Sequence, residues 1–206
     1  EDAPQLHPGG NILAKTHVIK GNPEEALANS KYVITKTYKT PFIEHAFLEP
    51  ESALAIPDED GGLTIYVGTQ SVYHDMHSIA NIMGMPEEKV RVIAKYIGGG
   101  FGGKEDLSVQ HHAALLAWAT KKPVKLTLSR KESLLVHPKR HAMDIEMTTG
   151  CDENGNITVM IAKITADTGA YASLGGPVLE RACTHAAGPY RVPNNELIGL
   201  GVYTNN

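Results

Sequence analysis

The chain is expected to be an α+β protein with mixed sheets and helices packed in layers, and three features of its sequence support that reading. Runs of alternating polarity, such as Lys31 to Thr40 and Leu63 to Thr69, predict strands. Two longer stretches, Ser71 to Gly84 and Lys104 to Thr120, carry apolar residues at helical spacing. The two kinds of segment do not alternate as regular βαβ units, so a doubly wound parallel sheet is not expected.

In chain order, residues 1 to 14 are rich in Pro and Gly and read as an extended lead-in, followed by a strand at Thr16 to Lys20. Asn22-Pro23-Glu24-Glu25 supplies a cap, a proline at the first helical position and two first-turn acids, so a short helix should run to about Asn29. Ser52 to Ile56 and Leu63 to Thr69 should form a hairpin across the Asp- and Gly-rich segment 57–62. Ser71 opens a helix that ends at Gly84, Met85-Pro86-Glu87-Glu88 makes a helical turn, and Val90 to Ile97 is a strand. The helix from Lys104, with Leu107, Ala113, Leu116 and Ala117 on its apolar face, leads to a strand at Val124 to Leu128. A hairpin follows, Met143 to Thr149 and Ile157 to Ala166, turning at Asn154-Gly155. Gly176 to Ala187 should be a helix and Leu197 to Thr204 a last strand.

Composition narrows the function. A net charge of −4 gives no broad attraction for nucleic acid. No apolar run approaches the ~18 residues of a spanning helix, and the N-terminus is not of the secretory type, so a cytoplasmic protein without a membrane partner is expected. Cys151 and Cys183 lack C-x-x-C spacing, so neither zinc nor an iron–sulfur cluster is expected on them.

The densest signal is Gly98-Gly99-Gly100-Phe101-Gly102-Gly103-Lys104-Glu105-Asp106. Glycines without Cβ atoms let bare backbone approach a flat or charged ligand, and Phe101 alone could cover it. The stretch satisfies both G-x-G-x-x-G and G-x-x-x-x-G-K. A P-loop, however, needs Ser or Thr after its lysine, where this chain has Glu105 and then Asp106. The dinucleotide fold wants an acid about 20 residues on, where Lys121-Lys122-Pro123-Val124-Lys125 stands. A nucleotide-binding module using Gly98 to Gly103 is the lesser alternative.

Gly98 to Glu105 reads G-G-G-F-G-G-K-E and resembles the second cofactor loop of purine-oxidising members of the xanthine dehydrogenase and aldehyde oxidase family, the molybdenum hydroxylases. Gly68-Thr69-Gln70 is similar to the family's T-Q step, lying 31 residues before Phe101 as in the family. Glu44-His45-Ala46-Phe47-Leu48-Glu49 is similar to its H-x-x-L-E strand entry. The resemblance implies a molybdenum-cofactor-binding-domain-like fold. It implies a parent enzyme that hydroxylates a purine such as xanthine or hypoxanthine, or a related N-heterocycle, with oxygen from water. An aldehyde or nicotinate-type hydroxylase of the same family is the alternative.

By the same resemblance Gln70, Gly99, Gly100 and Phe101 bind the molybdenum–molybdopterin cofactor, with Gln70 and Phe101 near the metal. Glu105 would read a purine edge, a role that competes with that of a first-turn helix acid. The general base would lie downstream of this chain, which holds no catalytic residue of its own. Iron–sulfur clusters and FAD would sit on other domains or subunits, and these, with the rest of the molybdenum subunit, are the expected partners. The ends look cut. Residues 1–14 would lead in from a preceding domain, and 15–206 would form a first cofactor-binding domain truncated at its C-terminus, a fragment inactive on its own.

Other candidates read as structural. His74 and His77 share a helical face and could hold a metal, but no third ligand is evident. His111 and His112 should not converge, one facing the sheet and the other solvent. His137-Pro138-Lys139-Arg140-His141 reads as a solvated basic loop, and Glu49 and Glu51 as rim carboxylates.

Overall fold

A computed structural model describes residues 3–5 and 7–205. The chain divides into two compact units, one continuous over Ile43–Arg140 and one assembled from the segments on either side.

In the discontinuous unit, strands β1 (Ile12–Lys20), β2 (Tyr32–Thr40), β7 (Met143–Cys151), β8 (Ile157–Asp167) and β9 (Asn194–Val202) form a sheet in the order β1-β9-β8-β7-β2. All pairs are antiparallel except β8 with β9, whose parallel pairing requires a crossover. That crossover contains helix α5 (Gly175–Thr184). Period-2 alternation turns Met160, Ala162, Ile164 and Ala166 of β8 inward, and Leu179 and Cys183 of α5 join the same core. Helix and sheet come close because Gly199 of β9 has no side chain: a Cβ there would lie 2.6 Å from Cys183 Sγ. Helix α1 (Pro23–Ala28) starts as expected, the Asn22 side chain accepting from the Glu25 amide. β1 starts four residues before the expected strand, so the lead-in is shorter than its composition suggested; Glu1, Asp2 and Leu6 of it lie outside the described residues.

The continuous unit has a sheet in the order β5-β4-β3-β6, built from β3 (Ser52–Pro57), β4 (Leu63–Val67), β5 (Val90–Ala94) and β6 (Val124–Thr127). β3 and β4 make the expected antiparallel hairpin, and β4 and β5 are parallel. Helix α2 (Val72–Met83) connects them and ends on Gly84 at φ 62, the left-handed position glycine tolerates. Ile79 and Ala80 of α2 pack with Ala53, Ala55, Leu63, Ile65 and Val67.

Helix α3 (Gln110–Thr120) begins six residues later than periodicity predicted. A helix from Lys104 would aim the amides of Ser108 and Val109 at the carbonyls of Lys104 and Glu105. Both amides instead donate to Gln110 Oε1 at 2.9 Å, and the Lys104 carbonyl accepts the Gln70 amide at 2.8 Å. α3 packs through Ala113, Ala114 and Ala117, while Leu116, expected inward, is 48% exposed. Helix α4 (Arg130–Val136) was not anticipated; its Ser129 and Glu132 form a capping box. Elsewhere α5 is shorter than expected and β9 is shifted toward the N-terminus. The α+β class holds, with mixed sheets and helices in layers.

Candidate functional site

Because β4 and β5 are parallel neighbours, the segments that leave their C-terminal ends emerge together. After β4 comes Gly68-Thr69-Gln70; soon after β5 comes the glycine loop. Gln70 Oε1 accepts from the amides of Gly102 and Lys104, at 3.1 Å each. The Thr69 hydroxyl adds a bond to the Lys104 carbonyl at 3.3 Å. The carboxamide oxygen is thereby committed to holding the loop, and the carboxamide nitrogen has no partner among the described residues.

A second clamp comes from Glu49. Its Oε2 accepts from the Gly98 amide and from Lys104 Nζ, both at 2.8 Å, and its own amide donates to the Gly98 carbonyl. Lys104 is almost fully buried, with Phe47 under its ammonium at 4.6 Å. The carboxyl of Glu49 is held below its usual range by the Lys104 hydrogen bond and the Gly98 amide, against the opposing effect of burial. Glu49 is therefore a partly exposed carboxylate that also anchors the loop.

These contacts leave no room for side chains. A Cβ would lie 2.4 Å from Glu49 Cβ at Gly98, 2.3 Å from Gln70 Oε1 at Gly100 and 2.5 Å from His137 Nε2 at Gly103. Phe101 has φ 56 and is 67% exposed, a bulky residue in the left-handed region. Its carbonyl accepts from Arg140 at 3.0 Å. Among the described residues the amides of Gly99, Gly100 and Phe101 have no acceptor, so three consecutive donors remain available.

Glu105 is half-buried just past the loop and has no hydrogen-bond or ion-pair partner among the described residues. It lies five positions before α3, so it is not a first-turn acid, and the helix-capping role falls away. The nucleotide reading loses its support for the same reason: no helix N-terminus follows Gly103 to face a phosphate.

Three structural readings need correction. His137 is 3% exposed, not solvated: α4 delivers it into the unit, its ring edge-on to Phe47 at 4.7 Å and its Nδ1 2.8 Å from Glu51 Oε1. Glu51 is likewise 3% exposed and not at a rim. His111 and His112 do meet, ring centroids 3.9 Å apart and tilted by 38°. His111 is kept below its usual pKa by burial and then by His112. His77 is engaged by Glu87 at 2.5 Å and by Asn81 at 3.0 Å, in keeping with exposed helix polarity and not a metal pair with His74. The capping box at Ser129 and Glu132 was the available signal for α4, and hence for the burial of His137.

Comparison with known proteins identifies the family. Residues 6–206 match the model of the molybdopterin cofactor-binding domain. A probable xanthine dehydrogenase subunit of Bacillus subtilis is 46% identical over 205 residues, covering 100% of this chain and 28% of the relative. The nicotinate dehydrogenase large molybdopterin subunit of Eubacterium barkeri is 43% identical over 206 residues, covering 100% of this chain and 48% of the relative. The chain thus spans less than half the length of these relatives. Among solved structures, the aldehyde oxidoreductase of Desulfovibrio gigas superposes with a TM-score of 0.92 at 24% identity, covering 100% of this chain and 23% of that one, a likeness of fold. No helix among the described residues is long and apolar enough to cross a membrane. With a family model matched along nearly its whole length, the chain belongs to the molybdopterin cofactor-binding domain family of the molybdenum hydroxylases.

Proposed function

We propose that this chain forms one wall of the molybdopterin and substrate pocket of a molybdenum hydroxylase that oxidises a purine or related N-heterocycle. In the parent enzyme the bound cofactor supplies the redox chemistry, and the protein positions and polarises. Residues 15–206 would form the first cofactor-binding domain, with iron–sulfur clusters and FAD carried by other domains or subunits of a cytoplasmic enzyme. The general base would come from outside this chain.

The residues fit such a group. A polar, oxygen-rich cofactor needs donors at close range, and the unpartnered amides of Gly99, Gly100 and Phe101 are donors that no side chain obstructs. The Gln70 carboxamide, its oxygen held by the loop, directs its nitrogen's donor capacity elsewhere. Gln70 and Phe101 would lie near the metal, and the exposed Phe101 ring would cover one side of the substrate.

The observation that carries the purine reading is Glu105, a half-buried carboxylate beside the loop without a partner of its own. It would accept from a ring N–H of the substrate and hold it in one orientation. In the complete enzyme, Glu105→Val should lower kcat/KM for a purine by about one to a few kcal/mol, while activity on small aldehydes survives. Equal loss on both substrates would reject the reading. A nicotinate-type activity is the second reading, favoured by the 43% identical relative of that name. Turnover of nicotinate with none of xanthine or hypoxanthine would select it.

A further inference from the structure

Beneath the glycine loop lies a group of side chains that the cofactor reading does not use. His137 Nε2 is 3.2 Å from His45 Nδ1, and ligand atoms of Glu44, His45 and His137 all lie within 4.8 Å of one another. On the far side of His137, Nδ1 is 2.8 Å from Glu51 Oε1, with both side chains almost fully buried. Glu44 Oε2 accepts from the Ala46 amide, while Glu44 Oε1 and Glu51 Oε2 are buried without a hydrogen-bond partner and Glu51 Oε1 has only the contact with His137.

Burying carboxylate oxygens without partners is costly, and a compensating positive charge is needed. The adjacent cations do not supply it. Lys139 points its ammonium at the His137 carbonyl and Arg140 its guanidinium at the Phe101 carbonyl, and neither forms an ion pair with Glu44 or Glu51 among the described residues. Two neutral imidazole nitrogens bound to one tetrahedral zinc at ~2.05 Å would stand about 3.3 Å apart, close to the separation found here. A carboxylate on the other nitrogen of a ligating histidine is the usual outer support of such a ligand.

We propose that Glu44, His45 and His137 bind a divalent first-row metal ion of the zinc type, with Glu51 orienting His137 from outside the ligand set. Two nitrogens and one carboxylate oxygen suit zinc, and a fourth position stays open to water. The ion would fasten the segment around His45 to the end of α4, directly under Gly103, where a Cβ would lie 2.5 Å from His137 Nε2 and 2.9 Å from His45 Cγ. Its role is structural and does not depend on the molybdopterin reading.

The test uses the whole chain, stripped with a chelator and titrated with zinc chloride against a chromophoric competitor. Bound zinc and Tm are read together. One equivalent of zinc and a Tm raised by several degrees are expected. His45→Ala should abolish binding and Glu44→Gln should weaken it at least tenfold, while His77→Ala leaves it unchanged. No stoichiometric zinc, no rise in Tm, or binding that survives His45→Ala would overturn the proposal. If circular dichroism shows His45→Ala to be unfolded, Glu44→Gln decides: undiminished affinity there rejects the site.

Discussion

Lys104 Nζ and the Gly98 amide converge on the same atom, Glu49 Oε2, each at 2.8 Å. The two ends of the glycine loop are thus tied by one carboxylate, and the tie survives because Lys104 is almost fully buried while Glu49 remains 39% exposed. Removing the cation should loosen both ends together. Lys104→Met should cost about 1–3 kcal/mol, below the range for a wholly buried pair because Glu49 keeps access to water. Denaturant titration of the chain checks the value. Adding Glu49→Gln should recover part of the loss, and a double variant worse than the sum of both singles would contradict the pairing.

The loop glycines should not be equivalent. Gly100→Ala places a Cβ 2.3 Å from Gln70 Oε1 and must displace that side chain, releasing the amides of Gly102 and Lys104, a loss of about 1–2 kcal/mol. Gly102→Ala meets nothing within 4 Å and suffers only from its φ of 88, about 1 kcal/mol. Molybdenum content of the complete enzyme should therefore fall in Gly100→Ala and hold in Gly102→Ala; the reverse order would count against the role of Gln70.

Phe101 keeps a bulky side chain at φ 56. Phe101→Gly relieves that strain but raises the entropy of the unfolded chain, so stability should change by less than about 1 kcal/mol. Cofactor retention in the complete enzyme should nevertheless drop, since the only large side chain of the loop is gone. A variant with normal molybdenum and normal turnover would show the ring to be dispensable.

Asp75 gives a pH prediction. It is fully buried in α2, its Oδ2 accepting from Gln110 Nε2 at 3.1 Å, and burial raises its pKa, opposed by the Thr69 and Gln110 hydrogen bonds. The folded state then holds this proton to a higher pH than the unfolded state does. Stability contributed at this site is present below the unfolded carboxyl pKa of about 3.9 and is lost as pH rises through the raised folded value. Asp75→Asn, whose carbonyl can still accept from Gln110, should melt higher than the parent at pH 7 and flatten the decline. A lower melting temperature for the variant at pH 7 would refute the assignment.

Much of this was legible in the chain because it is local. Alternation, the Asn22 cap, the Gly84 stop and the Gly-rich loop each act within a few residues. The late start of α3 was hidden because it depends on the Gln110 side chain capturing the Ser108 and Val109 amides and on the Gln70 amide reaching the Lys104 carbonyl from 34 residues away, contacts that periodicity does not encode. The burial of Glu51 was hidden likewise, since its partner His137 arrives from the end of a helix far along the chain. Leu116 misled because α3 lies close to its sheet, and alanines, with the smaller volume, occupy that face.

The discontinuous unit carries a consequence for synthesis. β1 and β2 are synthesised before their partners β9 and β7, which lie beyond the whole of Ile43–Arg140, as the pairing of Ile12 with Val202 requires. Ile43–Arg140 can close while the backbone groups of those two strands wait for the partners that pair Ile12 with Val202 and Tyr32 with Cys151. Slow translation of the last third of the chain would prolong that wait, making yield in the cell a matter of tempo and of chaperone supply.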